Sequence, residues 1–532
     1  MSDFGHFGGS DEEYAAVRKH NADVEADSDS FENWENLIKA CEALEGGLNR
    51  NSSPHALAAF RDAYDRFLLK FPLLFGYWKK YADMEFNIAG PETAEMVYER
   101  GVATITNSVD LWTEYCAFKM DTTHDPQLVR EIFERGAALV GLDFLAHPFW
   151  DKYIEYEERQ EAQDRIYAIH ARIIRIPMHQ YARYYERFRT LAHTCPLADV
   201  APADVVDRFR AEVDAEAAAQ GAGGARPELE VERDIRAKID AMYYEVFTTT
   251  QSEVSKRWTY ESEIKRPYFH VTELEHSQLS NWRKYLDFEE AEGDYARIVC
   301  LYERCLTTCA LYDEYWFRYA RWMAAQQPAK TEEVRNIYIR ASTMFVPVSR
   351  PGIRLQWAYF EESCGRVDVA IDIHGAILLR LPDCTEVVTS WANLERRQRG
   401  LDAAVQVYRD QIEAPTVDLY TKAALVAEWA YMLWRAKGSA EEARALFVKN
   451  TQWYADSRIF WERWFRLELE QPPSQAEHAT RVKHVFDALC TQSRLSAAVK
   501  KELSKAYLDY LVQDGGKDAM ETFLKVDREM FG

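Results

Sequence analysis

The sequence is short of most features that would mark a secreted protein, a membrane protein or an enzyme. Its 532 residues hold nine cysteines and no CxxC pair, and they open without the apolar run of a signal peptide, so a reducing, intracellular compartment is expected. No window approaches the roughly 20 uninterrupted apolar residues of a membrane span, and no membrane contact is expected. β-Branched runs such as Val346 to Val348 are brief and broken by proline, which leaves almost no material for a sheet. Positive charge is scarce: 65 basic residues face 87 acidic ones, a formal charge of −22. That balance argues against a surface that holds nucleic acid by bulk electrostatics. Half of the excess lies in two stretches, −6 over residues 1–30 and −5 over 199–240.

Patterns that carry chemistry are also missing. His170, His374 and His484 fall on helical positions without HExxH spacing or a paired carboxylate, and read as structural. Cys305 and Cys309 follow one helix face while Cys300 lies off it, which suits core packing better than converging metal ligands. The run GAGGAR from Gly221 lacks the lysine and the flanking strand of a phosphate loop. Short basic clusters, Arg396, Arg397 and Arg399 and the pair Lys256 and Arg257, read as solvated helix ends. No catalytic, cofactor-binding or metal-binding residue is therefore assigned, and the expectation is a non-enzymatic protein without cofactors.

What the sequence does hold is a repeat. Trp282, Tyr285 and Glu289 sit at i, i+3 and i+7, one face of a helix, and after Gly293 a second apolar stripe runs through Ile298, Leu301, Tyr302, Cys305 and Leu306. Trp316 and Tyr319 restart the pattern. The same anchors recur as Trp78, Tyr81, Glu85; Trp112, Tyr115 (with Lys119 where glutamate is expected); Trp150, Tyr153, Glu157; and Trp461, Trp464, Glu468. Steps between anchors are 34 (78 to 112), 38 (112 to 150) and 34 (282 to 316), the period of a helix pair. Weaker copies carry Trp357 with Glu361 and Trp391 with Glu395, and around Trp429 and Trp434 the spacing is lost. One hairpin cannot bury such a stripe alone, whereas stacked hairpins build a continuous core. The predicted fold is all-α: an α-solenoid of about ten to twelve repeats in two arrays. The seventh-position glutamates form a ladder, each expected to accept hydrogen bonds from a neighbouring helix or from an arginine of the following one, such as Arg304 after Glu289.

In chain order, residues 1–30 read as a disordered acidic tail, 31–193 as an amino-terminal array, 194–240 as a partly flexible insert and 241–532 as a carboxy-terminal array. The connection containing Lys265 to His270 is long for a repeat array, and reads either as a partner contact or as a strap packed across the stack.

The Trp, Tyr, Glu first helix and the YER-containing second helix resemble half-a-TPR (HAT) repeats, found in RNA-processing scaffolds. More narrowly, RWTYESEIKRPYFHVTELEHSQLSNWRKYLDFE and LYERCLTTCALYDEYWFRYARWM, within Arg257 to Met323, resemble the pre-mRNA-processing factor 39 family of splicing proteins. That resemblance implies a nuclear scaffold of the U1 small nuclear ribonucleoprotein (snRNP), acting in 5′ splice-site recognition. Its implied partners are U1 snRNP proteins and a second HAT chain, as a homodimer or a heterodimer with a paralogue; U1 RNA and pre-mRNA are touched mostly indirectly. A HAT scaffold of mRNA 3′-end cleavage or ribosomal RNA processing is the alternative. An open terminal repeat exposes the face its next neighbour would cover, and the apolar residues near the carboxy end, Leu503, Tyr507, Leu508, Leu511, Phe523, Leu524 and Phe531, are the expected dimer interface.

Overall fold

The computed structural model describes residues 12–221 and 224–532. Among these residues there are 27 α-helices, a short 3₁₀ turn at Leu44–Gly46, a π-helical segment at Ala341–Phe345 and no strand. The chain divides into two compact units, the first ending at Ala310 and the second beginning at Leu311.

The first unit opens with α1 (Glu12–Ala26), followed by the pairs α2 (Phe31–Glu42) with α3 (Pro54–Lys70), α4 (Phe75–Ala89) with α5 (Pro91–Thr104), α6 (Val109–Thr122) with α7 (Pro126–Val140), and α8 (His147–Arg159) with α9 (Gln163–Ile173). Then come α10 (Tyr181–Thr194), α11 (Leu197–Val200), α12 (Ala203–Ala219) and the long α13 (Glu228–Glu263), before the pair α14 (His276–Glu292) and α15 (Tyr295–Thr308). The second unit stacks α16 (Asp313–Ala324) with α17 (Thr331–Arg340), α18 (Gly352–Ser363) with α19 (Val367–Arg380), α20 (Thr385–Arg399) with α21 (Leu401–Glu413), α22 (Leu419–Lys437) with α23 (Ala440–Asn450), α24 (Arg458–Leu469) with α25 (His478–Thr491), and α26 (Ala497–Asp514) with α27 (Ala519–Phe531). First helices of successive pairs touch each other, α4 on α6, α6 on α8, α20 on α22 and α22 on α24, so each pair buries its neighbour's stripe.

Local sequence sets the helix ends. Ser53, Ser108, Asp125, Asp294, Asp418 and Ser457 each turn a side-chain oxygen onto a free backbone N–H of the helix they precede. Gly90 and Gly400 each end one helix and begin the next, at φ of 97° and 98° with ψ near ±175°. That backbone region is almost closed to residues with a Cβ, so the tightest hairpins depend on glycine.

Two expected boundaries move. Of the tail expected at 1–30, residues 1–11 lie outside the described residues, but 12–26 form α1 and bury Tyr14, Val17, Asn21 and Val24 against α2. The charge of this stretch concealed an ordinary apolar stripe, and Arg66 donates to Asn21 Oδ1 at 2.7 Å to fix it. Most described residues of the 194–240 insert are likewise folded into helices; residues 222 and 223 lie outside the described residues. Val206 and Val213 of α12 pack with Val231, Ile235, Ile239 and Tyr243 of α13 against Tyr185 and Phe188 of α10. Because α13 is one helix of 36 residues, its first half belongs to this cluster and its second half supports α14, so it runs straight through the expected boundary at 240. The compact units divide instead at 310 and 311.

Candidate protein-interaction surface

The anchor tryptophans are struts. Trp34, Trp78, Trp112 and Trp461 each donate the indole N–H to a carbonyl six residues upstream, on Ser28, Pro72, Thr106 and Ala455, at 2.8–3.0 Å. Trp150 reaches Gly141 O at 3.1 Å. Each bond ties the loop entering a helix to that helix's buried face. Trp316 is buried against Phe345 with Tyr319 on the same helix face, and Trp464 is buried against Phe447 and Trp461. Around Trp429 the register survives in small residues: Ala427 and Ala430 take the buried positions, and the tryptophan lies off the stripe.

The glutamate ladder is present, but its arginines come from the preceding second helix rather than the following one. Arg61 donates to Glu85 (2.8 and 3.2 Å), Arg130 to Glu157 (2.7 and 2.9 Å), Arg257 to Glu289 (3.0 and 2.7 Å), Arg335 to Glu361 (2.7 Å) and Arg444 to Glu468. Among the described residues Glu395 has no such donor and instead accepts from Trp391 Nε1 at 3.3 Å and from Arg399 at 3.5 Å, both of its own helix. Lys119 keeps the ladder with its polarity reversed: it donates at 2.8 Å to Glu95, which stands 24 residues earlier, as Arg61 stands before Glu85.

The expected Arg304–Glu289 contact is replaced by a second ladder. A carboxylate on one second helix accepts from the next first-helix tyrosine and from the arginine of the second helix after it. Asp65 thus joins Tyr81 and Arg100, Glu99 joins Tyr115 and Arg135, Glu134 joins Tyr153 and Arg172, and Glu261 joins Tyr285 and Arg304. Each arginine also lies over the tryptophan of its own pair, at 5.2–6.0 Å for Trp78, Trp112, Trp150 and Trp282. In the Glu-Arg dipeptides 99–100 and 134–135, the arginine therefore reaches back and the glutamate forward. Arg304 is the most buried case, held by Glu261 and by Asp143 at 3.2 Å. Burial and the Glu261 charge raise the Tyr285 pKa, and burial pushes the Asp143 carboxyl up against the pull of Arg304. These carboxylates hold helices in register and are not spaced to share a proton.

The residues set aside as structural sit accordingly. Cys300, Cys305 and Cys309 are buried, and burial raises the Cys300 thiol. His170 and His374 turn Nδ1 to the carbonyls of Ile166 and Ala370, at 2.8 and 2.7 Å, and burial lowers both pKa values. Among the described residues no group of three or more His, Cys, Asp or Glu is placed to hold a metal ion, and no helix is long and apolar enough to cross a membrane. The 265–270 segment packs as a strap: Phe269 is buried, and Pro267 to Phe269 line a cavity of about 280 Å³ with Asp143, Trp282 and Arg304.

The expected dimer face is only partly available. Leu503, Tyr507, Leu508 and Leu511 are core residues of α26, with Tyr507 stacked on Phe486 at 4.3 Å, and Phe523 packs partly against the same core. Their stripe faces α25 and α27 within the chain. Leu524 (67% exposed) and Phe531 (39%) remain outward, joined by Met520 and Val512. A cleft that sequence reasoning missed crosses α20, α22 and α24, where arginines from three repeats meet.

Stacked helix pairs with tryptophan-anchored first helices and arginine–glutamate ladders define a HAT-repeat solenoid. Residues 18–190 match the family described as PRP39 N-terminal HAT repeat, and residues 255–397 match the PRP39 C-terminal HAT repeat. The chain is 49% identical over 527 residues to pre-mRNA-processing factor 39 of Schizosaccharomyces pombe, covering 97% of this chain and 86% of that protein. It is 24% identical over 301 residues to the U1 small nuclear ribonucleoprotein component PRP42 of Saccharomyces cerevisiae, covering 54% of each. The crystal structure of CSTF-77 superposes with a TM-score of 0.54 over 86% of this chain and 88% of that one at 14% identity, a likeness of fold alone. The chain belongs to the pre-mRNA-processing factor 39 family.

Proposed function

We propose that this protein is a non-enzymatic scaffold of the U1 snRNP, acting in the nucleus during 5′ splice-site recognition and early spliceosome assembly. One observation carries the reading: a factor 39 relative matches 97% of the chain, and a second relative is named as a U1 snRNP component. The ladders support it, because they commit the repeated acids and arginines to helix register and leave recognition to the outer surfaces. The partners are U1 snRNP proteins, with U1 RNA and pre-mRNA reached through them; the −22 charge favours protein contacts over direct RNA grip. The outward face of α27, with Met520, Leu524 and Phe531, is the pairing surface for a second copy or a paralogous HAT chain.

Affinity purification of the full chain from nuclear extract, followed by RNA sequencing, tests the proposal. U1 RNA should dominate the recovered RNA. Recovery of 3′-end factors or small nucleolar RNA without U1 would instead favour a scaffold of mRNA 3′-end cleavage or ribosomal RNA processing, which shares this architecture.

A further inference from the structure

We propose that the cleft across α20, α22 and α24 binds an extended acidic peptide segment of a partner protein. The cleft has a volume of about 600 Å³ and presents Arg396 from α20, Glu428, Tyr431 and Arg435 from α22, and Arg463 and Arg466 from α24. Positions 396, 431 and 466 are 35 residues apart, as are 428 and 463, so the repeat brings side chains scattered over 70 residues into one cleft.

The charge of this cleft opposes that of the chain. Arg463 donates to Glu428 at 2.8 Å, Arg466 donates to Glu470 at 2.8 Å, and Arg435 lies 3.8 Å from the same Glu470. Arg396 has no carboxylate partner among the described residues. Four guanidinium groups thus face Glu428 and Glu470, with Glu462 also acting on Arg466, so positive charge still exceeds negative along this cleft of a protein of net charge −22.

A second observation points to a missing acceptor. Tyr431 is 7% exposed and its ring packs against Arg463, whose guanidinium lies 4.4 Å from the ring centroid and whose buried Nε has no hydrogen-bond partner among the described residues. Burying donors without acceptors is unfavourable. A ligand that brings anionic oxygens into the cleft supplies that acceptor while neutralising the surplus charge, and the planar guanidinium fork suits carboxylate or phosphate oxygens.

Dimensions favour an extended chain over a single small anion. Helices in contact lie about 8–10 Å apart, so Arg396 and Arg466 are separated by roughly two such steps, the length of about six extended residues at ~3.3 Å each. RNA fits less well, because the Tyr431 ring is buried beneath Arg463 and offers no open face for a base to stack on. The anionic groups are carboxylates of Asp and Glu or phosphoserine phosphates; both present the same oxygens. This cleft is separate from the α27 face, and peptide binding does not depend on pairing or on the U1 particle.

The test is fluorescence anisotropy with the purified full chain and four labelled probes: an eight-residue Asp/Glu peptide, the same peptide with two phosphoserines, a neutral Ser/Gln counterpart and an eight-nucleotide oligouridine. At least one anionic peptide should bind tenfold or more tighter than the neutral one, and comparison of the two separates carboxylate from phosphate as the source. Arg396→Ala with Arg435→Ala, both exposed positions, should weaken that binding at least tenfold with unchanged helicity and melting temperature. Equal binding of neutral and anionic peptides, binding unaltered by the arginine substitutions, or oligouridine binding tighter than both peptides would overturn the proposal.

Discussion

Lys119→Glu restores the residue that the other repeats carry at this position, yet it should destabilise the first unit. Lys119 has an 8% exposed side chain and donates to Glu95, itself 40% exposed, across 2.8 Å. The substitution places a second carboxylate against the first in a site largely closed to water. Breaking a buried pair by removing one partner costs about 3–5 kcal/mol. Because Glu95 is partly solvated and can turn outward, the expected cost is roughly 2–4 kcal/mol, discounted for screening. For a unit of this size that lowers the melting transition by about 3–6 °C. Adding Glu95→Arg recreates the arrangement of Arg61 with Glu85 and should recover most of the loss, with a coupling energy of about 1–3 kcal/mol in the double-mutant cycle. Urea and thermal unfolding followed by circular dichroism supply the four stabilities. If the double variant is no more stable than Lys119→Glu alone, the claim that this rung is the common ladder with exchanged charges is wrong.

Other perturbations probe different parts of the chain. Gly400→Ala should cost about 1–3 kcal/mol, because φ of 98° with ψ of 175° is a glycine region and no contact obstructs the new methyl group; an unchanged urea midpoint would contradict this. His170 and His374 have folded-state pKa values lowered from 6.5 by burial, so the unfolded chain takes up protons first as pH falls. Stability is therefore fully present above about pH 6.5 and declines below it, and His374→Gln should flatten that decline in a pH series of melting temperatures. On the proposed pairing through α27, Leu524→Asp with Phe531→Asp should leave a folded monomer by light scattering where the parent chain pairs, since both side chains point outward; a monomeric parent, or a variant that still dimerises, would refute that surface.

Much of this architecture is written locally. Helix class, the Trp and Tyr anchors and the two-helix period all follow from i, i+3, i+4 and i+7 spacing, which the geometry of a single helix fixes before anything packs. Serine and aspartate caps and the glycine breaks at Gly90 and Gly400 are local in the same sense. The burial of the anchors follows too, because a stripe of Trp, Tyr and Leu has no stable alternative to stacking.

Packing decided the rest. Which helix supplies the arginine to each ladder glutamate depends on how helices cross, and varying loops smear the separation from 24 residues for Arg61 and Glu85 to 32 for Arg257 and Glu289. The acidic composition of 12–26 concealed a stripe that becomes favourable only when α2 lies beside it, and the Ala/Gly-rich insert concealed α12 and the first turns of α13. Leu503, Tyr507, Leu508 and Leu511 look like surplus apolar surface in the sequence, and only the position of α25 and α27 shows that they are already covered. The same limit concealed the arginine cleft. Arg396 reads as a solvated helix end until stacking sets it beside Arg435, Arg463 and Arg466, because charge density in a solenoid accumulates across repeats rather than along the chain.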